Sequence, residues 1–411
     1  MKIIEKIRKP VDAVRSVVRF EPLETDAVAR RLARCANVDD LRAVARRRLP
    51  RGVFDYIDGG AEDEVTLAGN SQAFRDVTFQ PRVLRDVGVV DTTAMLLGKP
   101  LPFPLALAPT GFTRIADPAG ELAVARAAAR AGLPYTLSTM GTQSIEAVRA
   151  VSAGRLWFQV YVWRDRGLVA DMVARAAAAD YEALVITVDT AVLGRRERDV
   201  RRGFSLPPKI GLGTLVDGVL HPAWTLDLLR HEPILFANVA GSSARDGTSA
   251  VSLSEYVAAQ FDPSLSWRDI EWFRSLWSGP IVIKGIQTVE DALIAADLGI
   301  EAVALSNHGG RQLDHAPTPF SLIAPVVDAI GDRVEVICDG GVRRGSDIVK
   351  AIAAGATACM AGRAYLYALG AAGERGVDRC LTMLHDDVKR TMALIGATNL
   401  TSVDRSSISG A

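Results

Sequence analysis

From residue 104 onward the chain alternates short apolar runs with longer stretches of helical period. The runs are PLALAPT, YTLST, LWFQVYV, ALVITVD, IVIKG, AVALSN, VEVICDGG and ACMAGRA. They are nearly continuous in apolar residues, with no polar residue at every second position, which predicts strands covered on both faces. Between them, DPAGELAVARAAARAG reads as a helix capped by Asp117, with Pro118 at its first position and Gly132 past its end. TVEDALIAADLG and SDIVKAIAAG repeat the plan, with Thr288 and Ser346 as caps and Gly299 and Gly355 as stops. Alternating strand and helix implies parallel pairing with right-handed crossovers. Eight such units close most simply into an α/β (β/α)8 TIM barrel, with a doubly wound open sheet as the other arrangement.

Two stretches break the alternation. Residues 41–103 precede the first strand and predict helices plus a small cap over the barrel bottom. Residues 197–278 follow the fourth strand and are too long for an ordinary connection. They read as a lid or docking insertion, whose GSSARDGTSAVS portion favours disorder. The barrel unit then spans residues 38–400, with a C-terminal tail at 401–411 and a basic extension at 1–37. In that extension Lys2, Lys6, Arg8, Lys9, Arg15 and Arg19 interleave with Ile3, Ile4, Ile7, Val11, Val14 and Val18. The pattern fits an amphipathic helix, interrupted by Pro10, on an anionic membrane surface, and fits a solvated tail equally well.

Composition narrows the function classes. In 411 residues, 48 basic side chains balance 48 acidic ones, which argues against a nucleic-acid partner. Cys35, Cys338, Cys359 and Cys380 have no metal-type spacing, so they read as buried thiols in a reducing compartment. No apolar run approaches the roughly 18 residues of a membrane span, and the N-terminus has no signal-peptide core. The expected location is cytoplasmic, with peripheral contact on the inner membrane face as a variant.

Polar side chains gather where the apolar runs end. In a barrel these ends surround one mouth, so Thr110, Ser138, Gln159, Tyr161, Thr187, Asp189, Lys284, Ser306, His308, Asp339 and Arg363 converge. The glycines of CDGGVRRGSDI with Arg343, and Gly362 and Arg363 before a helix, form a phosphate site from backbone donors, helix dipole and guanidinium. Lys284 ends an apolar strand and needs a carboxylate or an anion; a Schiff base is the rival role. His308 reads as a base oriented by Asp189, and Arg311 and Arg196 as a carboxylate clamp. Arg195, Arg198, Arg201 and Arg202 read as a solvated face, and Tyr56 as a surface tyrosine.

The ordered motifs APTG, FQVYV, TVDTAVLGRRERD, IVIKG, SNHGGRQLD and DGGVRRGSDI resemble those of the FMN-dependent L-2-hydroxy-acid dehydrogenases and oxidases. HPAWTLDLL and FDPSLSWRDIEWFRSLWSGPIVIKGI are most similar to the respiratory L-lactate branch. The resemblance implies His308 as base with Asp189 behind it, and Arg196, Arg311 and Tyr56 on the substrate carboxylate. It implies Tyr161 on the substrate oxygen and Met140 in the substrate pocket. Around FMN it places Pro109, Thr110, Gly111, Ser138, Gln159, Thr187, Lys284 and Ser306, with Asp339, Gly341, Arg343, Gly362 and Arg363 on ribityl and phosphate. Two positions depart from much of the family. Gly111 stands where many oxidases carry alanine, which bears on oxygen reactivity, and Met140 where glycolate oxidases carry tryptophan. Residues 1–40 are too short for a haem domain, so the electron acceptor reads as external, a quinone or a cytochrome. Oxygen-using oxidation of another acid such as mandelate, and a non-redox lysine-dependent barrel, remain the alternatives. A homotetramer is implied by the resemblance alone.

Overall fold

The structure, a computed structural model, describes residues 24–202, 212–239 and 260–410. The basic helix expected within residues 1–19 and the GSSARDGTSAVS segment lie outside the described residues. Ahead of the barrel come α1 (Ala27–Ala33), α2 (Val38–Arg48), α3 (Arg51–Asp58), α4 (Val65–Asp76), the short strand β1 (Thr78–Phe79) and a hairpin of β2 (Ala94–Leu96) and β3 (Lys99–Leu101). Eight parallel strands then close on themselves: β4 (Leu105–Leu107), β5 (Tyr135–Ser138), β6 (Leu156–Tyr161), β7 (Ala183–Thr187), β8 (Ile281–Ile286), β9 (Ala302–Ser306), β10 (Glu335–Asp339) and β11 (Ala358–Ala361). The expected barrel is therefore present, each of its strands carried by one of the eight apolar runs.

Around the barrel lie α5 (Gly120–Arg130), α6 (Ile145–Val151) and α7 (Arg166–Ala178). The insertion contributes α8 (Glu197–Arg202), α9 (Leu212–Leu220) and α10 (Pro222–Arg230). Then follow α11 (Asp269–Leu276), α12 (Val289–Asp297), α13 (Pro319–Ile330), α14 (Gly345–Ala354) and the long α15 (Arg363–Ile395), with a last strand β12 (Ile408–Ser409).

Strand pleating sorts the side chains into two cores. Leu105, Leu107, Phe158, Val160, Leu184 and Ile186 join the large cluster under the helices. Ala106, Trp157, Ala183, Val185, Val282, Ala302, Ala304, Ile337, Ala358 and Met360 form a separate inner cluster with Leu96 and Leu101 of the hairpin. Alanine at so many inner positions leaves room for one indole, so Trp157 fills the lower barrel. Toward the strand C-termini the small apolar residues give way to polar ones in register. Ser138 pairs with Gln159, Thr187 with Lys284, and Ser306 with Asp339.

Several expectations need correction. Only the hairpin of the 41–103 segment covers the bottom, where Arg155 donates to Leu96 O (3.1 Å) and the Leu97 N–H to Glu335 (2.8 Å). Helix α3 instead reaches the mouth. Residues 401–410 are tied back to the body and do not trail from it, because β12 pairs antiparallel with β1. The 1–37 extension is folded in its last part, where α1 docks through Arg31 on Ala371 O. Helix α5 starts at Gly120, since Asp117 spends its carboxylate on a preceding turn, accepting from Ala119 N (3.0 Å). Ser346 lies inside α14, whose start is held by Asp347 accepting the N–H groups of Arg343 and Arg344 (2.9 Å each). Thr288 does cap α12, and Gly132, Gly299 and Gly355 do sit at positive φ past helix ends.

Helix α15 is broken at Ala372 and Gly373, whose dihedrals are non-helical. The break leaves the Ala371 carbonyl to accept from Arg31 (3.0 Å) and Arg48 (2.5 Å).

Candidate active site

One cavity of about 660 Å³ opens at the C-terminal mouth of the barrel. Of the residues singled out above, Pro109, Thr110, Gly111, Met140, Tyr161, Lys284, Asp339, Gly341, Arg343, Gly362 and Arg363 line it. Tyr56, Arg196, His308 and Arg311 line it too. Ser138, Gln159, Thr187, Asp189 and Ser306 are not in the lining. Ser138, Gln159, Thr187 and Ser306 are buried beside lining residues of the neighbouring strands, while Asp189 stands behind His308.

The histidine turn explains its own glycines. His308, Gly309 and Gly310 have φ of +58°, +65° and +74° in succession. A Cβ on Gly309 would lie 2.6 Å from Arg363 Nη1, and one on Gly310 2.6 Å from Leu67 N, so side chains are excluded on both counts. His308 accepts the left-handed strain while its N–H donates to Ser306 Oγ (3.1 Å). Its ring Nδ1 lies 2.8 Å from Asp189 Oδ1 and its Nε2 3.5 Å from Tyr161 Oη. The Asp189 side chain is only 1% exposed. Burial pushes its carboxyl up, but the charges of His308 and Lys284 outweigh this and hold it below the usual range. The Tyr161 phenol is raised by burial and then by Asp189, so it stays protonated as a donor.

At the floor, Lys284 Nζ reaches Asp339 Oδ2 (2.8 Å) and Ser306 Oγ (3.0 Å), and Ser306 donates to the same carboxylate (2.8 Å). The lysine is 3% exposed. Burial lowers its pKa, yet Asp339 and Asp189 raise it by more, so the ammonium stays charged. The carboxylate that its burial demanded is thus Asp339.

At the rim, Tyr56 lies between two guanidiniums, with Arg196 5.6 Å and Arg311 5.0 Å from its ring centroid. Tyr56 is therefore half-buried in the site and not a surface tyrosine. Arg311 donates to Tyr56 O (2.7 Å) and Gly59 O (3.1 Å), and Arg196 pairs with Asp199 (2.7 Å). Burial lowers the Arg311 pKa and the nearby Arg196 charge adds to this, the two guanidiniums standing on either side of Tyr56. Arg363 donates to Ile57 O, Gly309 O and Gly59 O (3.0, 2.7 and 2.7 Å), tying the rim to the histidine turn. Burial pushes its pKa down to about 10.

Sequence reasoning missed three residues that hold this arrangement. Tyr365 sits with Oη 2.7 Å from Thr110 Oγ1 and donates to Ala108 O (2.8 Å). Glu121, fully buried, accepts from Thr142 N (2.7 Å) and Thr142 Oγ1 (2.6 Å), fixing the loop that carries Met140. Gln312 bridges Asp189 O (3.0 Å), Val192 O (2.9 Å) and Gly194 N (3.0 Å). Only Tyr365 carried a signal, an aromatic residue two positions beyond Gly-Arg at a strand end.

A family model described as FMN-dependent dehydrogenase matches residues 45–410. The chain belongs to that family. A Mycobacterium tuberculosis (strain ATCC 25618 / H37Rv) protein, provisionally named an L-lactate dehydrogenase, is 48% identical over 385 residues, 93% of this chain and 91% of the relative. Glycolate oxidase of Spinacia oleracea is 42% identical over 372 residues, covering 90% and 95%. The crystal structure of the monotopic membrane protein (S)-mandelate dehydrogenase superposes with a TM-score of 0.88 at 42% identity, covering 92% of this chain and all of that one. This FMN-dependent 2-hydroxy-acid oxidoreductase has a cavity whose size suits such a cofactor. Two buried polar atoms at its strand ends, Gln159 Nε2 and Thr187 Oγ1, lack partners among the described residues, as expected where the polar edge of a ligand completes them. The glycine-arginine clusters at 340–343 and 362–363 suit its phosphate.

Proposed function

We propose that this FMN-dependent enzyme oxidises L-lactate to pyruvate and delivers the electrons to an external quinone or cytochrome. The observation that carries the reading is the His308–Asp189 pair facing two arginines across one cavity, with Met140 on the apolar side. Arg196 and Arg311 bind the substrate carboxylate, aided by Tyr56. His308 takes a proton from the 2-hydroxy acid, Asp189 stabilises the imidazolium, and Tyr161 donates to the substrate oxygen. FMN supplies the two-electron sink. Asp339 keeps the Lys284 ammonium charged at the floor, and Ser306, Ser138, Gln159, Thr187, Pro109, Thr110 and Gly111 would frame the flavin. Asp339, Gly341, Arg343, Gly362 and Arg363 hold its ribityl and phosphate end. A charged, paired ammonium is a poor nucleophile, which disfavours a Schiff base at Lys284.

The preference for lactate rests on the 48% identical relative and on the thioether of Met140, which leaves an apolar pocket for a methyl group. Anaerobic bleaching of the yellow holoenzyme by L-lactate, glycolate and (S)-mandelate tests it. L-Lactate should bleach fastest per unit concentration; faster bleaching by either other acid rejects the assignment.

The same reading includes peripheral contact with a membrane, where a quinone resides. No described helix is long and apolar enough to cross one. Helices α9 and α10, however, expose Leu215, Val216, Val219, Leu220, Leu226 and Leu229. Co-sedimentation with anionic vesicles should carry the full chain down, and retention in the supernatant removes this element.

A further inference from the structure

Arg198, read as part of a solvated face, is half-buried and faces inward between two carboxylates. Its Nη1 lies 3.0 Å from Asp58 Oδ2, and its Nη2 donates to Glu64. Arg202, one turn on, pairs with Asp55 (2.8 Å). These bonds fasten α8, which begins directly after Arg196, to the turn at the end of α3, which carries Tyr56. The other side of that turn is fixed from the barrel, through the Gly59 carbonyl bound by Arg311 and Arg363. Asp58 is held firmly enough to serve as the anchor, since Arg42 (2.5 and 2.8 Å) and Tyr367 Oη (2.8 Å) also bind it. Glu64 is held too, accepting the Gly60 N–H (2.9 Å). The backbone adds one link, from Glu62 N–H to Arg195 O (2.9 Å).

We propose that Arg198 is a positioning residue whose pairs with Asp58 and Glu64 set the distance between Arg196 and Tyr56, and so tune affinity for the substrate carboxylate. This rests on the reading that Arg196 binds that carboxylate. An ion pair within a partly buried network has more leverage than an isolated surface pair, because its partners are already ordered. Arg198→Met in the full-length holoenzyme should raise KM for the best 2-hydroxy acid about tenfold while changing kcat by no more than about twofold. FMN content should match the parent. Arg198→Lys should recover part of the loss. Glu64→Gln should raise KM less, and the double variant Arg198→Met/Glu64→Gln should be no worse than Arg198→Met alone. An unchanged KM in Arg198→Met, or equal losses of kcat, FMN and thermal stability, would overturn the proposal. Arg196→Lys, assayed alongside, separates the two levels. If it too leaves KM unchanged, the carboxylate assignment fails first.

Discussion

Lys284, Ser306 and Asp339 meet at the cavity floor from strands β8, β9 and β10, whose register the barrel ladder sets. Tyr56, Arg196 and Arg311 meet at the rim from a helix end, a connection and a turn that share no sheet. The floor follows from closing the barrel, because a one-residue slip would turn every one of its side chains outward. The rim depends on side-chain and carbonyl bonds between segments far apart in sequence. On the proposed roles, cofactor chemistry would rest on the rigid part and substrate choice on the adjustable part, which accords with relatives named for lactate, glycolate and mandelate matching nearly the whole chain.

The contrast can be broken first at the floor. Lys284→Met leaves Asp339 as a buried, uncompensated carboxylate, with an expected destabilisation of about 3–5 kcal/mol read by thermal melting. Lys284→Met/Asp339→Asn should regain part of it; a single variant as stable as the parent would show that the floor does not depend on this pair. Where floor meets rim, His308→Gln should keep FMN and lose flavin reduction by a hundredfold or more, about 3 kcal/mol, in anaerobic stopped flow.

The rim anchor has a pH signature. Burial pushes the Asp58 carboxyl up, but Arg42, Tyr367 and Arg198 together hold it down to about 2, against 3.8 when unpaired. With the folded pKa below the unfolded one, the stabilisation is complete above about pH 5 and fades as pH falls toward 2; it amounts to roughly 2 kcal/mol. Melting temperature against pH should therefore fall less steeply below about pH 5 in Asp58→Asn than in the parent. The smallest effect concerns substrate shape. A Cβ on residue 111 would lie 2.8 Å from Met140 Cβ. Because the clash is at Cβ and not at the flexible end, Gly111→Ala should displace the residue-140 backbone and with it the side chain, shifting the preference between L-lactate and (S)-mandelate several-fold, about 1 kcal/mol, in kcat/KM.

The same division governed what could be read in advance. Strands buried on both faces are written as contiguous apolar runs, and their polar ends as abrupt stops, so the barrel and Lys284, His308 and Asp339 were legible. Arg198 was not, and Tyr56 entered only through the family resemblance, because their surroundings are supplied by distant segments; Tyr365 had no mark beyond its place two residues after Gly-Arg. The Asp117 and Ser346 caps failed for a smaller reason. Another carboxylate or an earlier turn competed for the same backbone donors, and composition alone does not rank such competitors.

The interrupted helix α15 has a consequence for how the enzyme comes into being. Its bared Ala371 carbonyl is the mooring for Arg31 and Arg48, so this tie of α1 and α2 to the body forms only once residue 371 is in place. A chain clipped before residue 371 would lack that mooring, and with it the seat of the two helices that lead into the one bearing Tyr56.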